Sequence, residues 1–411
     1  MSRSLFVEDA DVHLQPPRGY DEQNLIAAIR SDVDPDRMRE IGVSPPGIPA
    51  GSSTMVTVED RSRRVRESAL KIQSPFQLDE TLCLYCPQDN VDSLRHPRIS
   101  EWLDFIQNDY EPDLPEAERR VLLFMPCTRT KPYAFSSEHL AINQRLLNEG
   151  FRPTRRLYLP QELQARLEAG FSPEVLNLSP LINNRGTVLH RMVISEPMAV
   201  VPYEHIAEYH GKASPAVAYD DPGLFENRGN AVSPWRADST AVRISPTRWK
   251  WGDEERRQYV VIHNEMARIL AEVVARIGHN YTGVLCWVAP GLTHRSFVLA
   301  SDERALHHVP ASRKVGGRRI GLIGANDHLA PERRIACLPL PDDCKDAVAR
   351  LSGRLKIDLP RATAIYARGG ANATPLALPE LLDVLVKRLA HNPLDVKGTT
   401  IHGRVAAENR R

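Results

Sequence analysis

No apolar run in this 411-residue chain approaches the ~20 residues that a membrane-spanning helix requires. No membrane association is expected. Charge of one sign is lacking too. Lys and Arg number 53 against 52 Asp and Glu, a formal net charge of +1, so no global field advertises a polyanionic partner. No secretory leader is expected, since Met1-Ser2-Arg3-Ser4-Leu5-Phe6 runs straight into acidic residues. Cysteine is sparse, limited to Cys83, Cys86, Cys127, Cys286, Cys337 and Cys344. That argues against a disulfide-built scaffold and for a cytoplasmic chain with reduced thiols. Cys83 and Cys86 make one Cys-x-x-Cys pair, half of a zinc site. Cys337 and Cys344 have the wrong spacing for the other half, so neither a metal nor a cofactor is expected.

What the chain does have is a short loop dense in chemistry. Residues 126–139 read Pro126-Cys127-Thr128-Arg129-Thr130-Lys131-Pro132-Tyr133-Ala134-Phe135-Ser136-Ser137-Glu138-His139. Before it stands Val121-Leu122-Leu123-Phe124-Met125, an apolar run of the length of a buried strand. After it, residues 138–148 carry helical periodicity, with Ser136 or Ser137 as a natural N-cap and Gly150 as a stop. The order is strand, reactive loop, helix. In open α/β sheets ligands bind at the carboxyl ends of strands. Taken singly, each residue has a bland role: a core thiol, a surface ammonium, a structural imidazole. Their concentration between two prolines favours a site.

Pro126, Cys127, Lys131, Pro132, Tyr133, Ser136 and His139 form the pattern Pro-Cys, three residues, Lys-Pro-Tyr, two residues, Ser, two residues, His. This resembles the signature of the core domain of archaeosine synthase, a family that transfers lysine onto the nitrile of 7-cyano-7-deazaguanine in transfer RNA. The likeness continues through Ile194-Ser195-Glu196-Pro197-Met198-Ala199-Val200-Val201-Pro202. It covers roughly residues 95–300. The family's C-terminal RNA-binding domain has no identifiable counterpart here. The resemblance implies a core related to uracil-DNA glycosylases. It also implies a nucleic-acid base as substrate, in tRNA or DNA, with free lysine as a possible co-substrate.

The chemistry derives from the residue types. A nitrile carbon needs a strong nucleophile and a proton for the developing nitrogen anion. Cys127 supplies the first; Lys131 or His139 is expected to supply the second. An amine would then displace the thiol and leave an amidine, whereas water would leave an amide. Pro126, Pro132, Tyr133 and Ser136 are expected to hold the base. Ser195 and Glu196, at a second strand end, are candidates for an amino group or a base edge. Tyr219-Asp220-Asp221-Pro222 has the look of the family's middle region. Two other classes stay open. A base-excising glycosylase is one, although Lys131 stands where that chemistry wants an aspartate. A non-catalytic nucleic-acid-binding module is the other.

Elsewhere the pattern is α/β, a mainly parallel sheet sandwiched by helices. Residues 1–94 read as an arm with a small subdomain, 95–330 as the catalytic core and 331–411 as a helical region. Helices are expected at 18–30, 97–107, 161–169, 252–278, 342–355 and 378–390. Strands are expected at 121–125, 187–195, 282–289 and 320–323, with an extended piece at 157–160 and a strand and turn at 76–87. Residues 44–53 read as a linker, and the last ~15 as frayed. Local cations supply what the net charge does not. Arg248, Trp249 and Lys250 alternate cation and aromatic, which suits phosphate contact and base stacking. Arg318 and Arg319 sit beside Gly316-Gly317. Both groups are candidate nucleic-acid contacts, and Arg152, Arg155 and Arg156 form a third cluster.

Overall fold

The computed structural model describes residues 61–224, 226, 231–245, 248–290, 293–367 and 375–390. The helix expected at 18–30, the linker at 44–53 and the chain end lie outside the described residues. A strand with two apolar faces needs cover on both. Strand β1 (Arg119–Pro126), buried from Val121 onward, lies inside a seven-stranded sheet. The other strands are β2 (Arg152–Pro153), β3 (Leu181–Ile182), β4 (Thr187–Ser195), β5 (Ala199–Pro202), β6 (Gly283–Trp287) and β7 (Ala336–Leu338). Their order is β7-β6-β1-β4-β3-β2, with β5 also paired to β4.

The centre of the sheet is parallel. Pro126 of β1 lies opposite Ile194 of β4, and Phe124 opposite Cys286 of β6. β7 joins β6 in parallel. The pairs β2–β3, β3–β4 and β4–β5 are antiparallel. The chain is therefore α/β with a mixed, mostly parallel central sheet.

Three helices matter most to the strand ends. Helix α1 (Ser137–Asn148) starts at the expected cap: the Ser136 Oγ accepts the His139 N–H at 3.3 Å. Helix α2 (Asp253–Ile277) buries the expected stripe of Ile262, Met266, Ile269, Leu270, Val273 and Ile277. Helix α3 (Thr293–Val298) comes after the end of β6. The start of α2 is fixed by Glu255, whose carboxylate accepts the Gly252 N–H at 3.0 Å and the Thr240 N–H at 2.9 Å.

Several expectations are corrected. The strand at 320–323 does not enter the sheet. Arg318–Gly321 instead pairs with Ser312–Val315 as a separate hairpin, exposed along its second strand. Its turn is Gly316-Gly317, with φ of +53° and +81°, the left-handed pair that a two-residue hairpin favours. The fourth parallel strand is β7, inside the region read as helical. It spans only three residues before Pro339, too few to carry a strand period. The helix expected at 161–169 is also shorter, Gln161–Gln164. Residues 76–87 give a turn of 3-10 helix (Glu80–Leu82) rather than a strand. Leu82 and Leu84 pack in the same cluster as β1, so residues before 94 help to build the main core.

Gly252 tests the α2 entry. A Cβ there would lie 2.2 Å from the Thr240 carbonyl oxygen, so the backbone must give way. Gly252→Ala is expected to lower stability by about 1–3 kcal/mol, as overpacking does. A urea midpoint equal to that of the wild type would show that the Thr240 segment moves aside freely.

Candidate active site

Three neighbouring parallel strands end at one edge, and beyond each lies a reactive side chain. Cys127 comes directly after β1, Glu196 directly after β4, and His294 lies in α3 beyond β6. The Cys127 N–H still donates to the Ile194 carbonyl at 2.9 Å, so the thiol leaves the sheet in register with β4. Its Sγ lies 3.3 Å from His294 Nε2. The same nitrogen lies 3.3 Å from Glu196 Oε2. Cys127 is half-buried, whereas Glu196 and His294 are buried. Burial works against the imidazolium of His294. The neighbouring Glu196 and Cys127 outweigh it and hold the group well above the ordinary imidazole range. A thiol with a proton-accepting imidazole at this distance is the pairing a cysteine nucleophile needs. The donor atoms of the three residues lie within 4.8 Å of one another, so they are also the residues able to hold a metal.

Two groups beside this centre are unspent. The His294 Nδ1 is buried without a hydrogen bond, and so are both carboxyl oxygens of Glu138. Burial pushes the Glu138 carboxyl up to about 8, with His294 pulling the other way.

Lys131 takes a different position from the one expected. It is fully buried, with its Nζ 3.8 Å from Asp220 Oδ1 and 4.4 Å from the centre of the Tyr219 ring. The Asp220 Oδ2 is held by the Ser68 hydroxyl at 2.6 Å and by Lys71. The backbone of Lys131 is pinned by the same segment, its N–H to the Lys71 carbonyl at 3.0 Å and its carbonyl to the Gln73 N–H at 2.8 Å. Burial pushes the Lys71 ammonium down against the pull of Asp220. Next to it, Asp221 accepts the Gly223 N–H at 2.7 Å. Burial and then Glu196 raise its carboxyl well above the usual range.

Tyr133 and Ser195 come together with Tyr219. The Tyr133, Ser195 and Tyr219 hydroxyls share hydrogen bonds of 3.0, 2.8 and 2.5 Å. Pro126 and Pro132 frame the loop, the Lys131–Pro132 peptide being cis. Ser136 is spent on the helix cap.

His139 is a correction to the expected proton donor. Its Nε2–H donates to the Pro126 carbonyl at 3.0 Å, and its Nδ1 accepts from the Tyr203 hydroxyl at 2.8 Å. Both nitrogens are committed, and the ring holds the residue before the thiol in place. Burial first, and Arg191 as well, push it down to about 4.

The basic candidates lie on two hairpins. Val242–Ser245 pairs with Arg248–Lys250. Trp249 is half-buried with Arg243 5.8 Å from its ring centre, and Lys250 is exposed. The Arg248 side chain lies outside the described residues. Arg318 and Arg319 are exposed on the second hairpin. Arg152 instead donates to the Leu147 and Phe151 carbonyls, and Arg155 pairs with Asp113.

Sequence reasoning missed His294, Glu138, Lys71 and Ser68. His294 was within reach, since Thr293-His294 comes after an apolar strand just as Cys127 does. Lys71 and Ser68 gave no local signal, because only the tertiary fold brings them to Asp220. No protein-family model matches the chain, and no curated protein or solved structure shows significant similarity to it.

The position of His139 predicts an acid-dependent loss of stability. Its pKa lies lower in the fold than the ordinary 6.5, so the unfolded chain binds the extra proton. The contribution is present above pH 6.5 and is lost as pH falls toward 4, by up to roughly 3 kcal/mol. His139→Gln should show a shallower fall in urea midpoint between pH 7 and 4. Parallel curves for the two proteins would mean that the ring is not held neutral.

Proposed function

We propose that this chain modifies a 7-cyano-7-deazaguanine base in tRNA or DNA, through covalent addition of Cys127 to the nitrile and displacement by an amine. One observation carries the reading: the Cys127 Sγ and Glu196 Oε2 meet at one nitrogen of His294, each at 3.3 Å. The strand-end loop that resembles archaeosine synthase supports the choice of electrophile. A core related to uracil-DNA glycosylases belongs to the same proposal.

His294 holds the thiol proton as an imidazolium, and the sulfur attacks the nitrile carbon as the thiolate. The C–S bond forms as one C≡N π bond becomes a lone pair on nitrogen. The His294 Nε2–H then protonates that nitrogen, giving a thioimidate. A positioned acid–base group of this kind is worth about 10²–10⁴-fold. Glu196, on the other side of His294, takes a proton from the incoming amine. The amine adds, the C–S bond breaks, and the amidine leaves with Cys127 regenerated. Lys131 acts through Asp220 and Tyr219 as a positioning residue, and His139 positions Pro126. Tyr133 and Ser195 form one wall for the base, and the two basic hairpins contact the polymer.

Hydration is the second reading. A carboxylate and an imidazole beside the thiol are equally suited to deprotonate water. Water added to the same thioimidate, with loss of the thiol, gives an amide.

Incubation with cyano-deazaguanine tRNA or DNA, labelled lysine and, in parallel, labelled water separates these outcomes. Label from lysine in the base supports transfer. An amide carrying the water oxygen, formed without lysine, overturns transfer in favour of hydration. Release of free base overturns both. Cys127→Ala is expected to abolish turnover with an unchanged melting curve, and His294→Ala to cost about 10²–10⁴-fold. Wild-type turnover in Cys127→Ala would end the covalent reading.

The hairpins give a separate expectation. Phosphate contacts make affinity fall steeply with salt. Reversing Arg318 and Arg319 to Glu should weaken nucleic-acid binding and flatten its salt dependence, with Cys127 still reacting with the free cyano base. Unchanged affinity would remove this hairpin from the interface.

A further inference from the structure

We propose that Cys127, Glu196 and His294 bind one divalent cation of the zinc type, and that the bound cation masks the nucleophile. The masking half rests on the reading of Cys127 as the attacking group; the binding half does not.

The donor set is mixed sulfur, nitrogen and oxygen, the set that zinc takes. Zinc bonds of about 2.0–2.3 Å in a tetrahedron place the ligand atoms roughly 3.3–3.6 Å apart. The sulfur and the carboxylate oxygen each lie 3.3 Å from His294 Nε2, and all three atoms fall within 4.8 Å. The site is thus nearly of zinc dimensions before any cation enters. His294 Nε2 is the shared vertex, so a cation would replace the proton that now joins the three groups.

Charge points the same way. A thiolate, a carboxylate, a neutral imidazole and a divalent cation sum to zero. Binding releases the proton of His294 and, where present, that of the thiol.

The surroundings give an independent observation. A metal-bound histidine almost always donates its other N–H to a carboxylate or carbonyl. The Nδ1 of His294 is buried and has no hydrogen bond. The Glu138 carboxyl, only 2% exposed, likewise has both oxygens without a hydrogen bond. Among the described residues these three form the candidate ligand group, which leaves the fourth position of a tetrahedron to water or another small ligand.

Coordination and nucleophilic attack need the same sulfur lone pair and the same ring nitrogen. A cation held here therefore blocks thioimidate formation, and its removal frees the thiol.

The full chain, stripped with EDTA and then freed of chelator, is titrated with cobalt(II) and, in a second series, with zinc(II) against a competing chelator. The expected result is one equivalent bound, with a sulfur-to-cobalt charge-transfer band in the near ultraviolet. Cys127→Ser should abolish that band, and Glu196→Gln should weaken binding at least about tenfold, as loss of a ligand does. Both variants keep side-chain volume, so circular dichroism can verify their fold. Absence of the band, or an unaltered band in Cys127→Ser, overturns the site.

Masking is read by alkylation of Cys127 with iodoacetamide, located by mass spectrometry. Saturating zinc should slow it at least about tenfold, and EDTA should restore it. An equal rate with and without zinc overturns masking, as does turnover that rises above the metal-free level when zinc is added. A chain that binds cobalt but never forms a thioimidate when metal-free keeps the site and loses the proposed reaction. One that forms the thioimidate and binds no cation does the reverse.

Discussion

Three adjacent parallel strands finish at a common edge, and the chemistry depends on that register. Pro126 of β1 is aligned with Ile194 of β4, and Phe124 with Cys286 of β6. Neighbouring strands stand about 4.8 Å apart, so residues just past their ends fall within side-chain reach. Cys127 and Glu196 meet for that reason, and α3, beyond the end of β6, brings His294 to them. A slip of one residue in β1 would turn its side chains to the opposite face. Burial on both faces prevents the slip. Leu122, Leu123, Phe124 and Met125 are each 0–1% exposed, so either face turned to water would forfeit several well-buried side chains.

The second constraint is the charge cluster around Asp220. Lys71 and Lys131 approach one carboxylate from two segments, with Ser68 completing its contacts. Buried charges are tolerated when paired, and removal of one partner leaves an uncompensated charge at a cost of several kcal/mol. The cluster therefore fixes where residues 68–73 run. Their backbone in turn holds both sides of Lys131, and with it the turn that presents Tyr133 to Ser195 and Tyr219. The segment before the core is part of the loop's scaffold.

Legibility in the sequence depends on locality. β1, β4, α1 and α2 can be read because their apolar residues repeat at the strand or helix period within a dozen positions. The Ser136 cap is readable for the same reason. The strand β7 is not, because three residues define no period. The loop from Pro126 to His139 stands out because its residues are close in sequence. Their roles do not, since role depends on partners far along the chain. His139 has the character of an acid–base group, but Tyr203 and the Pro126 carbonyl occupy both of its nitrogens. Lys131 has the spacing of a partner for the thiol, and the fold gives it to Asp220. His294, the residue that does meet the thiol, lies 167 positions away.

The balance of donors and acceptors also constrains how a polymer could approach. Around the Cys127, Glu196 and His294 cluster the buried polar atoms without a hydrogen bond include both carboxyl oxygens of Glu138, Oδ2 of Asp221 and Nδ1 of His294. Burial raises the Glu138 and Asp221 carboxyls and so favours their neutral forms, which offer O–H donors as well as acceptors. Under the proposed reading, that mix of donors and acceptors is what a base edge would meet. Exposed cations lie at Arg129, two residues after the thiol, and at Lys250, Arg318 and Arg319 on the two hairpins. Under the proposed reading, the backbone rests on those cations, and the target base leaves its stack to reach the thiol, as bases do for enzymes that act on them. On that reading a chain with a net charge of +1 would meet a polyanion through local cations and not through its overall field.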